Sequence, residues 1–235
     1  MKEVYEFIEL LAKNNNKEWF EQHKNEYKDI QQYFNSFVEK LIYEISLWDK
    51  DINPDKLSVK QCTYRIYRDT RFSKNKLPYK THIGAYICKE GKKSPFGGYY
   101  FHIEPKGLNT PKYLDGNLLA TGLYCPEPIV VKSLRDEISV NGDSFLDALA
   151  LANGFNLDLR TALKRVPRGF KNIEERWNDL IRLRDFSVYK ILDNKFLFEK
   201  NLLEQTAKEF KKTYAFNKLL NLAVEYALED SDLFH

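Results

Sequence analysis

The residues best suited to chemistry in this chain are His82, His102 and Glu104, together with the cations of RIYRDTRFSKNKLPYK, residues 65–80. His102 and Glu104 form an H-x-E step, so on an extended chain both side chains leave the same face. An imidazole beside a carboxylate can hold or pass a proton. Two imidazoles and a carboxylate are also a metal-ligand set, but H-x-E alone is a weak motif and no metal is assigned. The basic segment carries Arg65, Arg68, Arg71, Lys74, Lys76 and Lys80 against Asp69 alone. That is a local +5 in a chain of net charge +3, which leaves −2 for everything else. Arginine forks match phosphate or carboxylate, and lysines add mobile point charge. Asp69 reads as the group that orients one arginine.

Strands must position these groups. Period-two alternation predicts strands over 61–67, 82–88, 99–104 and 118–124. Tyr64, Ile66, Ile83, Ala85, Ile87, Tyr99, Phe101 and Ile103 then face a core. Arg65, Tyr67, His82, Tyr86, Tyr100, His102 and Glu104 share the opposite face, beside a 68–80 connection long enough to be functional. GKKSPFGG and PKGLNTPKYLDGN carry the punctuation of turns. Consecutive strands with short links predict an antiparallel sheet.

Helices flank this sheet. Val4, Phe7, Ile8 and Leu11 recur at helical spacing, and Asn14-Asn15-Asn16 ends that helix and caps the next. A longer apolar stripe predicts a helix over 17–47 with room for one break, and Asn53-Pro54 closes the region. Later helices are predicted over 126–139, 144–152, 173–183 and 202–228, with Asn141-Gly142 as a turn, and short strands over 155–159 and 186–191. The expectation is a single α+β domain over 1–235. Its parts are an N-terminal helical hairpin (3–48), a central, mainly antiparallel sheet (61–125) and C-terminal helices (126–230).

Composition bounds the function. At 235 residues with 43% hydrophobic content the chain can build a core without staples. Its near-neutral total argues against a dedicated nucleic-acid domain. Cys62, Cys88 and Cys125, spaced 26 and 37 apart, match no zinc pattern, and their odd number fits a reducing cytoplasm. No run approaches the roughly 20 apolar residues of a membrane span, and the charged N-terminus does not read as a signal peptide. The expectation is a cytoplasmic protein without a membrane partner. No cofactor motif is present, and no motif names a reaction.

Three readings of the basic segment follow. The first is a site for a compact anionic small molecule, a phosphorylated metabolite or nucleotide, with Arg65, Arg68, Arg71, Lys74, Lys80 and Tyr67 as ligand-binding residues. A second group, LKRVPRGFK, adds Arg165, with Lys164, Arg168 and Lys171, as another wall. The second reading is a nucleic-acid module in which Tyr64, Tyr67, Phe72 and Tyr79 stack between cations. The third is a surface for an acidic protein. Bland roles stand beside them: basic residues also guard sheet edges, and His23, Trp19, Phe20 and Tyr27 sit where packing residues belong.

The segments NNNKEWFEQHKNEY, RIYRDTRFSKNKLPYKTHIGA, YYFHIEP, GLYCPEP and LKRVPRGF, in this order from about residue 4 to 220, resemble the bacterial family catalogued as domain of unknown function 2461. The resemblance implies that the basic segment is the family's signature element. It supplies no activity and no catalytic residue. The approach GKKSPFGG is longer than the glycine-rich link usual in such relatives.

Overall fold

A computed structural model describes residues 1–107, 115–170 and 172–232, the side chains of 230–232 excepted. Within the described residues three helices come first: α1 (Lys2–Lys13), α2 (Lys17–Gln22) and α3 (Lys24–Ser46). Asn16 caps α2, its Oδ1 accepting from the Trp19 N–H at 2.9 Å. The one break in the long helical stretch falls at His23. Its Nδ1 sits 2.8 Å from the Trp19 carbonyl and its ring stacks on Trp19 at 4.0 Å, which makes it a packing histidine.

The predicted strand over 61–67 does not form. Residues Val59–Cys62 are instead a helical turn, α4, initiated by Ser58, whose N–H and hydroxyl both reach Gln61 Oε1 at 2.9 and 2.7 Å. The S-x-x-Q pattern of a capping box overrides the β-formers that follow. Beyond it the chain joins no ladder and makes the isolated β-bridges Thr63–Ala85 and Tyr67–Tyr79. Alternation therefore fails here: Ile66 is buried, but Tyr64 is 41% exposed rather than in the core.

The sheet strands are β1 (Ile83–Cys88), β2 (Gly98–Ile103) and β3 (Leu118–Leu123), then, after α5 (Pro128–Leu151), β4 (Asn156–Leu157) and, after α6 (Asn178–Ile181), β5 (Phe186–Ile191). Their order is β1-β2-β3-β5-β4, every pair antiparallel. The sheet thus draws on residues well past 125. Helices α7 (Asn194–Leu197), α8 (Leu202–Lys212) and α9 (Tyr214–Asp232) complete the described elements. The fold is α+β, with N-terminal helices, a central antiparallel sheet and C-terminal helices.

Three helical expectations are refined. Asn141-Gly142 is a kink inside α5, not a turn, because the missing β-carbon at Gly142 admits the Trp177 indole, which a Cβ would meet at 2.4 Å. The 173–183 stretch shortens to a 3₁₀ turn, Glu175–Trp177, and α6. The 202–228 helix divides at Thr213, whose hydroxyl sits 2.7 Å from the Phe210 carbonyl and 2.8 Å from Thr121 of the sheet. Residues 108–114, inside the predicted PKGLNTPKYLDGN turn, and Lys171 lie outside the described residues.

One sheet face carries both apolar cores. Ile83, Ala85, Ile87, Tyr99, Phe101 and Leu119 pack with α1, α3 and α8. Leu123, Phe186 and Val188 pack with α5 and α9. Register then assigns the opposite face to Gly84, Tyr86, Tyr100, Ala120, Gly122 and Tyr189, among others.

Candidate functional site

That second face is the floor of a cleft of about 1260 Å³, roomier than the ~300–1,000 Å³ usual for small-molecule sites. The floor is low because its residues are small: Gly98, Ala120 and Gly122. Gly122 has φ +128° and passes so close to β5 that no β-carbon fits there. Tyr86 spans β2, placing its Oη 2.7 Å from the Gly122 carbonyl and 3.0 Å from that of Phe96. Tyr100 leans the other way, across Gly84 on β1.

Cations enter from both ends of the sheet. Lys80, Lys92 and Lys93 lie on the segments bracketing β1, while Arg135 and Lys132 come from α5, Arg160 from beyond β4 and Arg184 from the bend before β5. Among the described lining residues, seven are basic and three acidic. Two of those acids are engaged within the protein. Asp158 pairs with Arg160 at 2.7 and 2.8 Å. Asp185 accepts from the Cys125 N–H at 2.6 Å and the Thr161 hydroxyl at 2.8 Å. Of the cations, Arg160 pairs with Asp158, Lys132 pairs with Asp136 at 2.8 Å, and Arg135 donates to the Ile181 and Leu183 carbonyls at 2.9 Å, so the surplus facing the cleft rests with Lys80, Lys92, Lys93 and Arg184.

Lys80 shows that surplus most directly. Its pKa is lowered by burial, and further by Arg65, Arg68 and Lys92. Lys80 and Lys92 both lie over the Tyr64 ring, at 5.3 and 5.6 Å. Burial lowers the pKa of Lys92 as well. At the other end burial depresses Arg135, and Arg184 adds to it.

Behind the floor lies a buried polar chain. Tyr100 Oη is 2.8 Å from His102 Nδ1, and His102 Nε2 is 3.4 Å from Glu104. Glu104 also meets Thr81 at 3.4 Å and His82 Nδ1 at 3.8 Å. His102 and Glu104 are fully buried, whereas Tyr100 and His82 line the cleft. Burial holds both histidines neutral, with pKa lowered to about 3; for His82, His102, Lys80 and Arg68 add to the effect. Burial also raises the Tyr100 phenol. A neutral phenol therefore donates to Nδ1, and the Nε2–H faces Glu104. Chemically this fixes the Tyr100 ring in place and leaves its oxygen an acceptor toward the cleft. Among the described residues no group of three or more His, Cys, Asp or Glu is placed to hold a metal ion.

The basic segment is a closed loop rather than a strand connection. Arg68 N–H donates to the Pro78 carbonyl at 2.9 Å and Lys80 N–H to that of Ile66 at 2.8 Å. Asn15 clamps its base by bonding both the N–H and the carbonyl of Tyr79, at 3.1 and 3.0 Å, while Phe20 stacks on Tyr79 at 4.1 Å. Of the expected ligand-binding residues only Lys80 lines the cleft. Arg68 stands behind it, 3.5 Å from the Ser73 hydroxyl. Arg71 is exposed and paired with Asp69 at 2.7 Å. Tyr67 packs on Phe20 and Tyr79. Arg65, Lys74 and Arg165 are exposed and outside the lining.

A family model described as "Conserved hypothetical protein (DUF2461)" matches residues 3–218. The chain belongs to this family. Neither the curated proteins nor the solved structures contain a match to it. Family membership adds no reaction to the geometry, and among the described residues no helix is long and apolar enough to cross a membrane.

The residues that the sequence left unassigned are Arg135, Arg160, Arg184, Tyr189 and Cys125. Only the parity of β5 carried a signal. Once Phe186 and Val188 are core, Ser187 and Tyr189 must face away from it.

Proposed function

We propose that the protein binds a compact anionic small molecule in the cleft on the sheet face opposite its apolar cores. Lys80, Lys92 and Arg184 supply the charge, and Tyr100, its hydrogen committed to His102, supplies a ring and an acceptor oxygen. The observation that carries this reading is the pair Lys80 and Lys92, which line the cleft over one Tyr64 ring at 5.3 and 5.6 Å; burial and the neighbouring cations lower the Lys80 pKa. Such repulsion is relieved when a negative group arrives. His102 and Glu104 act as positioning residues for Tyr100.

The test is a thermal shift of the wild type, Lys80→Gln and Arg184→Ala against inorganic phosphate, sugar phosphates, nucleotides and carboxylates. A ligand at 100 times its dissociation constant stabilises by about 2.7 kcal/mol, roughly 5–10 °C here. A shift with one class of anion, reduced in both variants, supports the reading. No shift with any anion overturns it.

One observation favours a second reading, a single-stranded nucleic acid on the loop tip. Phe72 is 96% exposed with the Arg71 guanidinium 5.9 Å from its ring centre. That reading requires oligonucleotide affinity falling as about the −0.7Z power of salt for Z phosphates, and loss of that affinity in Phe72→Ala.

A further inference from the structure

We propose that the cleft is a slot for a flat ring, so that its ligand is an aromatic anion of the nucleoside monophosphate kind. The ring sits over Ala120, between Tyr100 and Tyr189. This inference rests on the anion reading above and names the part of the ligand which that reading leaves open.

The argument begins with register. Tyr86, Tyr100, Ala120 and Tyr189 are directly paired across β1, β2, β3 and β5, so they form one row on the cleft face. Adjacent strands lie ~4.8 Å apart, which puts the backbones of Tyr100 and Tyr189 about 9.6 Å from each other. A ring held between two aromatic faces needs about 7–8 Å, two contacts of ~3.5–4 Å. Ala120 contributes a single methyl group to that interval. Because Tyr100 lies over Gly84 rather than over Ala120, the interval beside Tyr189 is at least one ring wide.

Exposure and side-chain direction agree. Ala120 is partly exposed, whereas its same-face neighbours Leu118 and Gly122 are buried, so the opening is centred on it. Tyr100 leans away over Gly84, where a β-carbon would lie 2.9 Å from its ring, and this widens the slot at its mouth. On the far wall the Arg160 guanidinium stacks 4.8 Å from the centre of Tyr189 and extends the stack with a cation. Ser187, one row on, offers a hydroxyl to a polar ring edge. With cations bracketing both ends of the row, a molecule joining a ring to a phosphate meets a complementary surface at each of its parts.

The experiment is calorimetric titration, at fixed ionic strength, with adenosine, guanosine and cytidine monophosphates, ribose 5-phosphate and inorganic phosphate. Stacking on aromatic side chains predicts that at least one mononucleotide binds about tenfold or more tighter than ribose 5-phosphate. Ala120→Leu, which fills the slot, should erase that advantage while leaving ribose 5-phosphate within about twofold of wild type. The wild-type affinity ratio needs no variant, so it decides the matter even if Ala120→Leu misfolds. Equal affinity for ribose 5-phosphate and every mononucleotide overturns the slot and leaves the anion reading standing. Binding of none of the anions overturns both.

Discussion

Tyr100 occupies the space that any side chain at position 84 would need: a β-carbon built on Gly84 falls 2.8 Å from the Tyr100 hydroxyl oxygen. The glycine is thus what lets the phenol lie down and meet His102. Gly84→Ala should displace Tyr100 at a cost of about 1–3 kcal/mol, measured by urea unfolding. The same change made on a Tyr100→Ala background should cost much less. Equal costs in the two backgrounds would place the strain in the backbone, where the Phe101 carbonyl lies 3.0 Å away.

The histidines impose a direction on pH stability. Both are held neutral when folded, with pKa about 3 against 6.5 in the unfolded chain. Between those values the unfolded state binds more protons, so stability is complete above about pH 6.5 and falls as pH drops toward 3. The slope is at most about 1.4 kcal/mol per pH unit for each histidine. His102 faces Tyr100, His82 and Glu104; His82 faces Glu104, His102, Lys80 and Arg68. Denaturation at pH 7, 5 and 4 should show the decline, and His82→Gln should flatten it.

Lys80 should trade stability for binding. Its folded pKa lies below its unfolded value, so the charged form is disfavoured by folding at neutral pH. Removing the charge with Lys80→Gln should raise Tm by roughly 2 °C or more while weakening anion binding. A variant that loses both would show that Lys80 is structural.

Asn15 ties the N-terminal helices to the basic loop through two hydrogen bonds to Tyr79. Asn15→Ala removes the partner of both the Tyr79 N–H and the Tyr79 carbonyl and should cost about 1–3 kcal/mol. Hydrogen exchange should rise first in residues 66–80.

Thiol chemistry reports on the cleft. Cys125 is exposed and lines it, whereas Cys62 and Cys88 are buried, with burial pushing their thiols up to about 12 and about 11. Iodoacetamide should therefore modify Cys125 first. A saturating anion should slow that reaction, and an unchanged rate would put the ligand elsewhere.

Much of this architecture is legible in the residues. Alternation assigns the two faces of β1 and β2 correctly because their core side is uniformly apolar and no turn residue interrupts it. It fails at 61–67 because Ser58 and Gln61 nucleate a helical turn there, and a local hydrogen-bonded cap outweighs β-propensity. The charge cluster ends at the cleft, where Lys80 lines the wall. Charge density, though, does not say where a side chain ends: Arg71 spends its fork on Asp69, and the backbone closes the loop on itself. Arg135, Arg160 and Arg184 are scattered among a helix, a turn and the bend before β5, and only the sheet order brings them to one cleft. Long-range convergence of this kind has no signature in spacing.

Tyr99 and Tyr100 are chain neighbours with separate occupations. Tyr99 is sealed against α3 and α8 and bonds Asp49 at 2.7 Å, while Tyr100 belongs to the cleft. The sheet works as a partition, and each strand is written in two interleaved alphabets. A library confined to positions such as 120, 187 and 189 would vary what the cleft accepts while the buried packing residues stay untouched. Selectivity in such a molecule can be retuned without re-solving its fold.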